Sequence, residues 1–516
     1  MRIRKRMTWL VTRAALGIVL LLVAIIGFRA VDALRGPELR PWHLLVPPEL
    51  DAKALDATDW AGFLAAEERA FASVRREVTA RLVPADRVPA NRYFDGSPLH
   101  PPRFATDWNR SFVLAPAGAP VGAAVLLHGM TDAPFSMRHL AGLYREQGWI
   151  AIAPRMPGHG TVPGGLTEVH WQDWLAATRL AVREARARLG PGLPIHIVGY
   201  SNGGALAVKY ALDALDDDRL PAPDRLVLLS PMIGVTAFAR FAGIAGLPAL
   251  LPAFANAAWL GILPEFNPFK YNSFPVNAAR QSHLLTASLQ EQTRRLADAN
   301  RLDRLPPVLT FQSVVDATVS TAAVIGTLYA RLPANGSELV LFDLNRNAKL
   351  GPLISPRTDI AIERLLPPAP QRFRMTLITN ATADSPEAIE RSTVADTAVA
   401  AERALGLDWP REIFSLSHIA LPFPLTDGLY GLHPDPADAF GANLGGVAPR
   451  GESGVLVADL DSLLRVSSNP FFPYLRARIA EMLVAASAPP GAVGREFGTQ
   501  GASVGRDADH ATRPGR

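Results

Sequence analysis

The fold prediction starts from one segment, Ile197-Val198-Gly199-Tyr200-Ser201-Asn202-Gly203-Gly204. It has the pattern G-x-S-x-G and lies between an apolar segment typical of a buried strand, Ile195 to Val198, and a segment typical of a helix, Gly203 to Leu215. A serine in such a turn needs neighbours without side chains, because the backbone turns back on itself there. Its hydroxyl then lies at a helix N-terminus, where partial positive charge favours an oxyanion. The pattern predicts Ser201 as a nucleophile; the alternative is an incidental serine in a glycine-rich turn.

Short apolar strands and amphipathic helices alternate on both sides of this turn. Strands are predicted at 121–127, 149–153, 195–198, 225–229, 308–312 and 338–342, and helices at 139–148, 171–189, 203–215 and 321–331. Such alternation is typical of a mostly parallel sheet with helices on both faces. We therefore predict an α/β fold.

A second loop, Leu127-His128-Gly129-Met130-Thr131, follows the strand predicted at 121–127. A loop at this position can direct a backbone N–H group at the substrate oxygen. The backbone amide after Ser201, whose sharp strand-to-helix turn is called the elbow below, supplies the second donor. The predicted oxyanion hole therefore consists of the Met130 and Asn202 amides. We expect His128 to brace this loop, because a histidine fixed at a strand end cannot easily face both Ser201 and a carboxylate.

The motifs LLHGMTDAP (126–134), PRMPGHG (154–160) and VGYSNGG (198–204) occur in this order. With them the chain resembles the α/β-hydrolase family, in particular its monoacylglycerol-lipase and serine-aminopeptidase-like branch. The resemblance spans about residues 108 to 345 and a later histidine segment. It implies a mostly parallel central sheet flanked by helices, with an apolar cap at about 235–300. It also implies an acid after the next-to-last core strand and a histidine after the last.

Two aspartates fit the acid position that the resemblance implies. Asp316 follows the strand predicted at 308–312, as the family pattern requires. Asp343 ends the next predicted strand and is the alternative, because relatives occasionally place the acid there. The resemblance therefore assigns the acid to Asp316, with Asp343 as the second choice.

The histidine departs from the family pattern. Relatives place it within a few residues of the last strand, whereas here the next histidine is His418, 76 residues after Phe342. Residues 345–412 are predicted to be an insertion with an added strand near 372–379. An insertion of this length can leave its ends close together at little entropic cost, so we predict His418 as the base. The alternatives are His433, His510 and a packed histidine without a catalytic role.

The composition excludes several classes of protein. The 516 residues are 48% hydrophobic and 19% charged and include no cysteine, which excludes a disordered chain, a disulfide framework and a cysteine nucleophile. The sequence pI is about 9.5, but five basic residues precede residue 14. Without them 47 basic residues remain against 48 acidic ones, so nucleic-acid binding is not expected. No Walker loop, dinucleotide fingerprint or His-Glu-x-x-His motif occurs, so we predict neither cofactor nor metal.

The N-terminal segment predicts a membrane anchor. Ala14 to Phe28 is uncharged and apolar, and counting back across Arg13 to Trp9 gives 20 residues, or about 30 Å of helix. The basic cluster before it predicts a cytoplasmic N-terminus and a catalytic domain on the non-cytoplasmic side, which is the periplasm if the source is a bacterium. The alternative is a signal peptide cleaved near Val31-Asp32-Ala33, which would give a secreted protein.

We predict four regions along the chain. Residues 1–35 form the anchor or signal peptide, 36–105 a linker with a helical extension near 60–82, 106–487 the hydrolase domain, and 488–516 a disordered tail. The predicted function is that of a serine hydrolase that cleaves hydrophobic or lipid-like esters through Ser201, His418 and Asp316. One alternative is a serine peptidase, for which Glu265 in the cap is the only suggestive clamp for a substrate ammonium. The other is a membrane-anchored binding protein without turnover.

Overall fold

A ten-stranded sheet forms the centre of the computed structural model, which describes residues 2–234, 247–347, 370–446 and 463–487, together with 365 and 368. The strands of the sheet are β1 (Phe112–Leu114), β2 (Gly122–Leu127), β3 (Trp149–Ala153), β4 (Ile195–Tyr200), β5 (Arg225–Leu229), β8 (Val308–Ser313), β9 (Glu338–Phe342), β10 (Arg374–Asn380), β11 (Glu387–Thr393) and β12 (Ala400–Asp408). Two further strands, β6 (Trp259–Gly261) and β7 (Phe274–Pro275), pair with each other.

The order of strands in the central sheet is β1-β3-β2-β4-β5-β8-β9-β10-β11-β12. All neighbours from β3 to β10 are parallel, whereas β1 joins β3, and β11 and β12 continue the far edge, in antiparallel pairs. The inner strands β2, β3, β4, β8 and β9 are buried along their whole length, as strands covered on both faces must be. The predicted, mostly parallel α/β sheet is confirmed.

Ten helices surround the sheet in the described residues: α1 (Arg2–Arg35), α2 (Pro41–Leu44), α3 (Ala52–Ala57), α4 (Trp60–Glu77), α5 (Arg138–Glu146), α6 (Trp171–Leu189), α7 (Asn202–Asp216), α8 (Val276–Asp298), α9 (Thr321–Ala323) and α10 (Phe472–Ser487). Alternate residues of β2 belong to two separate hydrophobic cores. The core on one face is shared with α6, α7 and α8, and the core on the other with α5 and α10. The helix predicted at 321–331 holds α-geometry only over α9 and continues as π and 3-10 turns.

The predicted anchor lies within α1, whose C-terminal end contacts the body of the protein. The Arg29 guanidinium donates hydrogen bonds to the backbone oxygens of Trp259, at 2.7 Å, and Ala257, at 3.3 Å. Within the residues that the structure describes, no helix combines the length and the apolar character needed to span a bilayer. The predicted membrane anchor is therefore not supported.

The predicted insertion extends the sheet. Its described part contributes β10, β11 and β12, and β10 lies where the sequence predicts an added strand. The predicted tail, residues 488–516, and part of the predicted cap, residues 235–246, lie outside the described residues.

Candidate active site

The turn between β4 and α7 holds Ser201 in a conformation that its glycine neighbours permit. Ser201 has φ 55° and ψ −114°, outside the regions that non-glycine residues favour. A Cβ atom at Gly203 would lie 2.0 Å from the Leu127 carbonyl oxygen, and one at Gly199 would lie 2.4 Å from the Gly203 oxygen. Only residues without side chains allow the helix to approach the ends of β2 and β4 this closely. The strained turn presents the serine at the N-terminus of α7.

The structure brings Ser201, His418 and Asp316 together. The Ser201 hydroxyl lies 2.9 Å from His418 Nε2, and His418 Nδ1 lies 2.8 Å from Asp316 Oδ2. All three side chains are buried. The Tyr200 hydroxyl donates to the His418 backbone oxygen at 3.2 Å and holds the histidine loop against the elbow. The order of the contacts, hydroxyl to imidazole to carboxylate, is that of a nucleophile, a base and an orienting acid.

The Asp316 carboxylate has four hydrogen-bond donors. Oδ1 accepts from the backbone amides of Thr318, at 2.8 Å, and Val319, at 3.0 Å. Oδ2 accepts from His418 and from the side-chain amide of Gln312. Burial alone would raise the pKa of Asp316, but the nearby His418 and these donors outweigh it and lower the pKa below its usual value. Asp316 is therefore held as an anion facing the imidazole.

The alternative residues lie elsewhere. Asp343 Oδ2 accepts from the Thr379 hydroxyl at 2.9 Å, and Oδ1 accepts from the Leu344 amide at 2.8 Å, so this carboxylate faces β10 rather than His418. His433 is exposed, and its backbone amide donates to the Leu425 oxygen. His510 lies outside the described residues.

Asn345 explains how His418 reaches the site across the insertion. Its backbone amide donates to the Phe414 oxygen at 2.9 Å, and its side-chain amide donates to the oxygens of Pro410 and Ile413 at 3.0 and 2.9 Å. The two ends of the insertion are thus joined directly by a buried residue. The chain after β12 therefore returns to the end of β9, where the family pattern expects the histidine.

The loop after β2 lies against the elbow serine. A Cβ atom at Gly129 would lie 3.3 Å from the Ser201 Cβ atom, and Met130 lines the same pocket as the serine. Asn202 is the first residue of α7, and the first amides of a helix have no partner within it. Met130 therefore lines the same pocket as Ser201, and Asn202 follows the serine at the start of α7.

The His128 side chain stabilises this loop through hydrogen bonds. Its Nε2 accepts from the Met156 backbone amide at 3.0 Å, and its Nδ1 lies 2.9 Å from the Gly129 oxygen, which fixes the proton on Nδ1. Burial lowers the pKa of His128 to about 4, so the ring is neutral at pH 7. The ring of His159 packs against it with a centroid distance of 5.1 Å. These two histidines serve the structure of the loops rather than proton transfer with Ser201.

A pocket of about 290 Å³ opens over Ser201 and His418. Much of its wall is apolar and comes from Met130, Met232, Phe274, Val319, Ile419 and Phe423. The same pocket also holds three charged side chains that the sequence analysis did not single out, namely Asp132, Lys270 and Arg465. Asp132 lies within the motif LLHGMTDAP, but no motif marks Lys270 or Arg465, and the three residues come from loops far apart in the sequence.

Glu265, the only residue that suggested an ammonium clamp, has another role. Its carboxylate accepts from the backbone amides of Asn272, at 3.0 Å, and Ser273, at 2.9 Å, and the residue is buried. It is not among the residues that line the pocket. Glu265 thus stabilises the loop that carries Lys270.

In the described part of the chain, one group of potential metal ligands lies close together, but its carboxylates already pair with an arginine. It consists of His139, Asp427 and Asp438. The Arg138 guanidinium pairs with both carboxylates, at 2.7 Å to Asp427 and 2.5 Å to Asp438. The positive charge that these acids need is therefore already supplied by the chain itself.

The parallel sheet and the serine turn after β4 have the arrangement of the α/β-hydrolase fold. Residues 118–343 match the family model described as serine aminopeptidase, S33. The chain is 29% identical over 203 residues to the thermostable monoacylglycerol lipase of Bacillus sp. (strain H-257), covering 39% of this chain and 72% of that protein. It is 24% identical over 120 residues to phospholipase YtpA of Bacillus subtilis (strain 168), covering 23% and 44%.

A solved structure, a soluble variant of monoglyceride lipase from Saccharomyces cerevisiae in complex with a substrate analogue, is 14% identical to this chain. It aligns with a TM-score of 0.37 over 45% of this chain and 82% of that one. The predicted resemblance to the α/β-hydrolase family, and to its monoacylglycerol-lipase and serine-aminopeptidase-like branch, is confirmed by the family match and the sequence relatives.

Proposed function

We propose that this protein is a serine hydrolase that cleaves carboxylic esters with hydrophobic acyl groups through an acyl-enzyme. The observation that carries the proposal is the continuous hydrogen-bonded chain from Ser201 Oγ through His418 to Asp316, at 2.9 and 2.8 Å. It supplies a nucleophile, a base within reach of its proton, and an anion that orients the base.

In the first half-reaction, Ser201 Oγ forms a bond to the ester carbonyl carbon while its proton passes to His418 Nε2. The carbonyl electron pair moves to oxygen, and the amides of Met130 and Asn202 stabilise this oxyanion. Asp316 holds the proton on Nδ1 and stabilises the imidazolium. When the carbonyl re-forms, the C–O bond to the alcohol breaks, and the alcohol leaves with the proton from His418.

In the second half-reaction, water attacks the acyl-enzyme and gives a proton to His418 Nε2. The oxyanion forms again at the same two amides, and its collapse breaks the bond to Ser201 Oγ. The serine recovers its proton from His418, and the carboxylic acid leaves. Both halves use the same groups, namely Ser201, His418, Asp316 and the two amides.

Two observations favour ester over peptide substrates. The apolar wall of the pocket matches an acyl chain, and a monoacylglycerol lipase is among the sequence relatives. Glu265, the acid considered as an ammonium clamp, is bound by backbone amides outside the pocket, and the carboxylate that does line the pocket, Asp132, shares it with the cations Lys270 and Arg465. Lipid-like monoesters are therefore the substrates we propose.

The location of the protein stays a prediction from its sequence. Basic residues before the first apolar segment favour export of the chain that follows it. N-terminal sequencing after cell fractionation measures this: a chain that begins near Asp32 or Leu34 indicates a cleaved signal, and an intact chain among cytoplasmic proteins contradicts export.

The test of the function is a substrate panel with a matched variant. Purified protein is assayed against monoacyl esters of increasing acyl length and against aminoacyl amides, beside Ser201→Ala. We expect ester turnover that falls at least about a thousandfold in the variant with no change in melting temperature, because the change removes the nucleophile and little volume. Cleavage of the amides alone would favour the peptidase, and absence of turnover on every substrate would favour the binding protein.

A further inference from the structure

Lys270 places an unpaired ammonium group in the catalytic pocket. It lines the pocket together with Ser201 and His418. The backbone amide of the next residue, Tyr271, donates to the Thr131 oxygen at 2.7 Å, so Lys270 lies directly beside the oxyanion loop. Among the described residues, the Lys270 side chain has no hydrogen bond and no ion pair within 4 Å, and the opposite charge that acts on it is that of Asp132.

A second cation, Arg465, lines the same pocket from the histidine side. Its guanidinium donates to the Thr318 hydroxyl, and its backbone oxygen accepts from the hydroxyl of Ser417, the residue before His418, at 2.6 Å. Burial lowers the pKa of Lys270, the charge of Asp132 in the same pocket raises it, and the charge of Arg465 lowers it to a smaller extent. Lys270 and Arg465 therefore both contribute positive charge to the pocket over Ser201.

Only one carboxylate, Asp132, is found among the described residues that line this pocket. Its charge acts on the Lys270 ammonium without a hydrogen bond between the two side chains, and its Oδ2 has no hydrogen-bond partner. Both groups thus face the pocket with unused hydrogen-bonding capacity. The half-buried Lys270 ammonium has no hydrogen-bond acceptor, so a ligand anion placed against it would gain a charge-assisted contact.

We propose that the substrate is a monoacyl ester whose alcohol portion carries an anionic group, which Lys270 and Arg465 bind, while Asp132 accepts a hydrogen bond from a substrate hydroxyl. The inference rests on the proposed ester hydrolysis at Ser201. The acyl chain occupies the apolar wall, which leaves the charged part of the pocket to the alcohol. A phosphorylated glycerol ester and a carboxylate-bearing ester share the required chemistry.

The experiment compares esters that share one acyl group, short enough to keep every substrate monomeric. The alcohols are glycerol, glycerol 3-phosphate, glyceric acid and choline, and a glycerol monoester of a dicarboxylic acid places the anion on the acyl side instead. We expect kcat/KM at least about tenfold higher for an anionic alcohol than for glycerol, with choline lowest. The phosphate and carboxylate arms decide which anion is bound.

The matched variants are Lys270→Met and Lys53→Met, which remove the same charge inside and outside the pocket, because Lys53 is exposed and does not line it. Lys270→Met should lower the ratio of kcat/KM for the anionic ester to that for the neutral ester at least about tenfold, and Lys53→Met should leave this ratio unchanged. Arg465→Gln, at an exposed position, should lower the same ratio and provides the test if Lys270→Met does not fold.

Three outcomes overturn the inference. Equal kcat/KM for neutral and anionic esters, a preference for choline or for the acyl-side anion, or an unchanged ratio in the pocket variants each contradict it while ester hydrolysis by Ser201 stands. Absence of turnover on every ester, the neutral one included, contradicts the proposed function and the inference together.

Discussion

Replacing Asp316 with asparagine should disable the base while leaving the shape of the site intact. The Asp316 carboxylate accepts from two backbone amides through Oδ1 and from His418 and Gln312 through Oδ2. In Asp316→Asn, the amide oxygen takes the Oδ1 position, because the two backbone amides require an acceptor. The NH₂ group then faces His418 Nδ1 and donates to it.

This reversal changes the tautomer of His418. A proton donated to Nδ1 leaves the ring proton on Nε2, the nitrogen that must accept the proton of Ser201. We expect kcat to fall about ten-thousandfold, which corresponds to about 5 kcal/mol of transition-state stabilisation. The hydrogen bond from Gln312 is also lost, so the free energy of unfolding should fall by about 1 to 2 kcal/mol.

Asp343→Asn is the matched control for this experiment. It also removes a buried carboxylate, which accepts hydrogen bonds from the Thr379 hydroxyl and the Leu344 amide and pairs with Arg346 at 3.3 Å, so it too should lower the free energy of unfolding. Its kcat on a monoacylglycerol should stay within about tenfold of the parent. The reasoning is refuted if Asp343→Asn proves the crippling change, or if Asp316→Asn keeps a tenth of the parent activity.

Three further predictions concern the base, the insertion and the buried histidines. His418→Ala should lose almost as much activity as Ser201→Ala, and the double variant should fall little further, because the two residues act as a unit; an active His418→Ala beside an inactive His433→Ala would assign the base to His433. Asn345→Ala removes two side-chain hydrogen bonds across the insertion, so the free energy of unfolding measured in urea should fall by about 2 to 4 kcal/mol. The value of kcat should also fall, and an unchanged kcat would show that this contact does not position the base. Burial lowers the pKa of His196 to about 3, so below pH 6.5 the unfolded chain takes up a proton that the folded protein does not. The free energy of unfolding should therefore fall by about 1.4 kcal/mol for each pH unit below 6.5. His196→Phe should show a smaller loss of stability between pH 6.5 and 5, and equal slopes for the two proteins would contradict this.

Strands and helices were predictable where the pattern is local. The helix predicted at 171–189 has the same bounds as α6, and the strands predicted at 149–153 and 338–342 have the same bounds as β3 and β9. These segments are bounded by turn residues and buried on defined faces, so their hydrophobic period reports their geometry. The helix predicted at 321–331 shows the limit of this reasoning, since apolar spacing does not distinguish α from π turns.

The sequence led to Ser201 through a local motif and to Asp316 and His418 through the family resemblance. Ser201 lies within a motif that its own geometry requires, whereas the position of His418 depends on the contacts of Asn345, which no spacing reveals. Lys270 and Arg465 come from loops 195 residues apart in the sequence and meet only in the folded pocket. A sequence pattern indicates the local geometry that neighbouring residues require. Charged residues that come together from distant loops produce no such pattern.

The central claim is that Ser201 is the residue that carries the acyl group. Incubation with a fluorophosphonate, followed by intact-mass measurement and peptide mapping, tests it most directly, because the reagent bonds to a serine that a base has activated. We expect one adduct per chain on the peptide that contains Ser201, and none on the Ser201→Ala variant. An adduct on another residue, or equal labelling of both proteins, would contradict it.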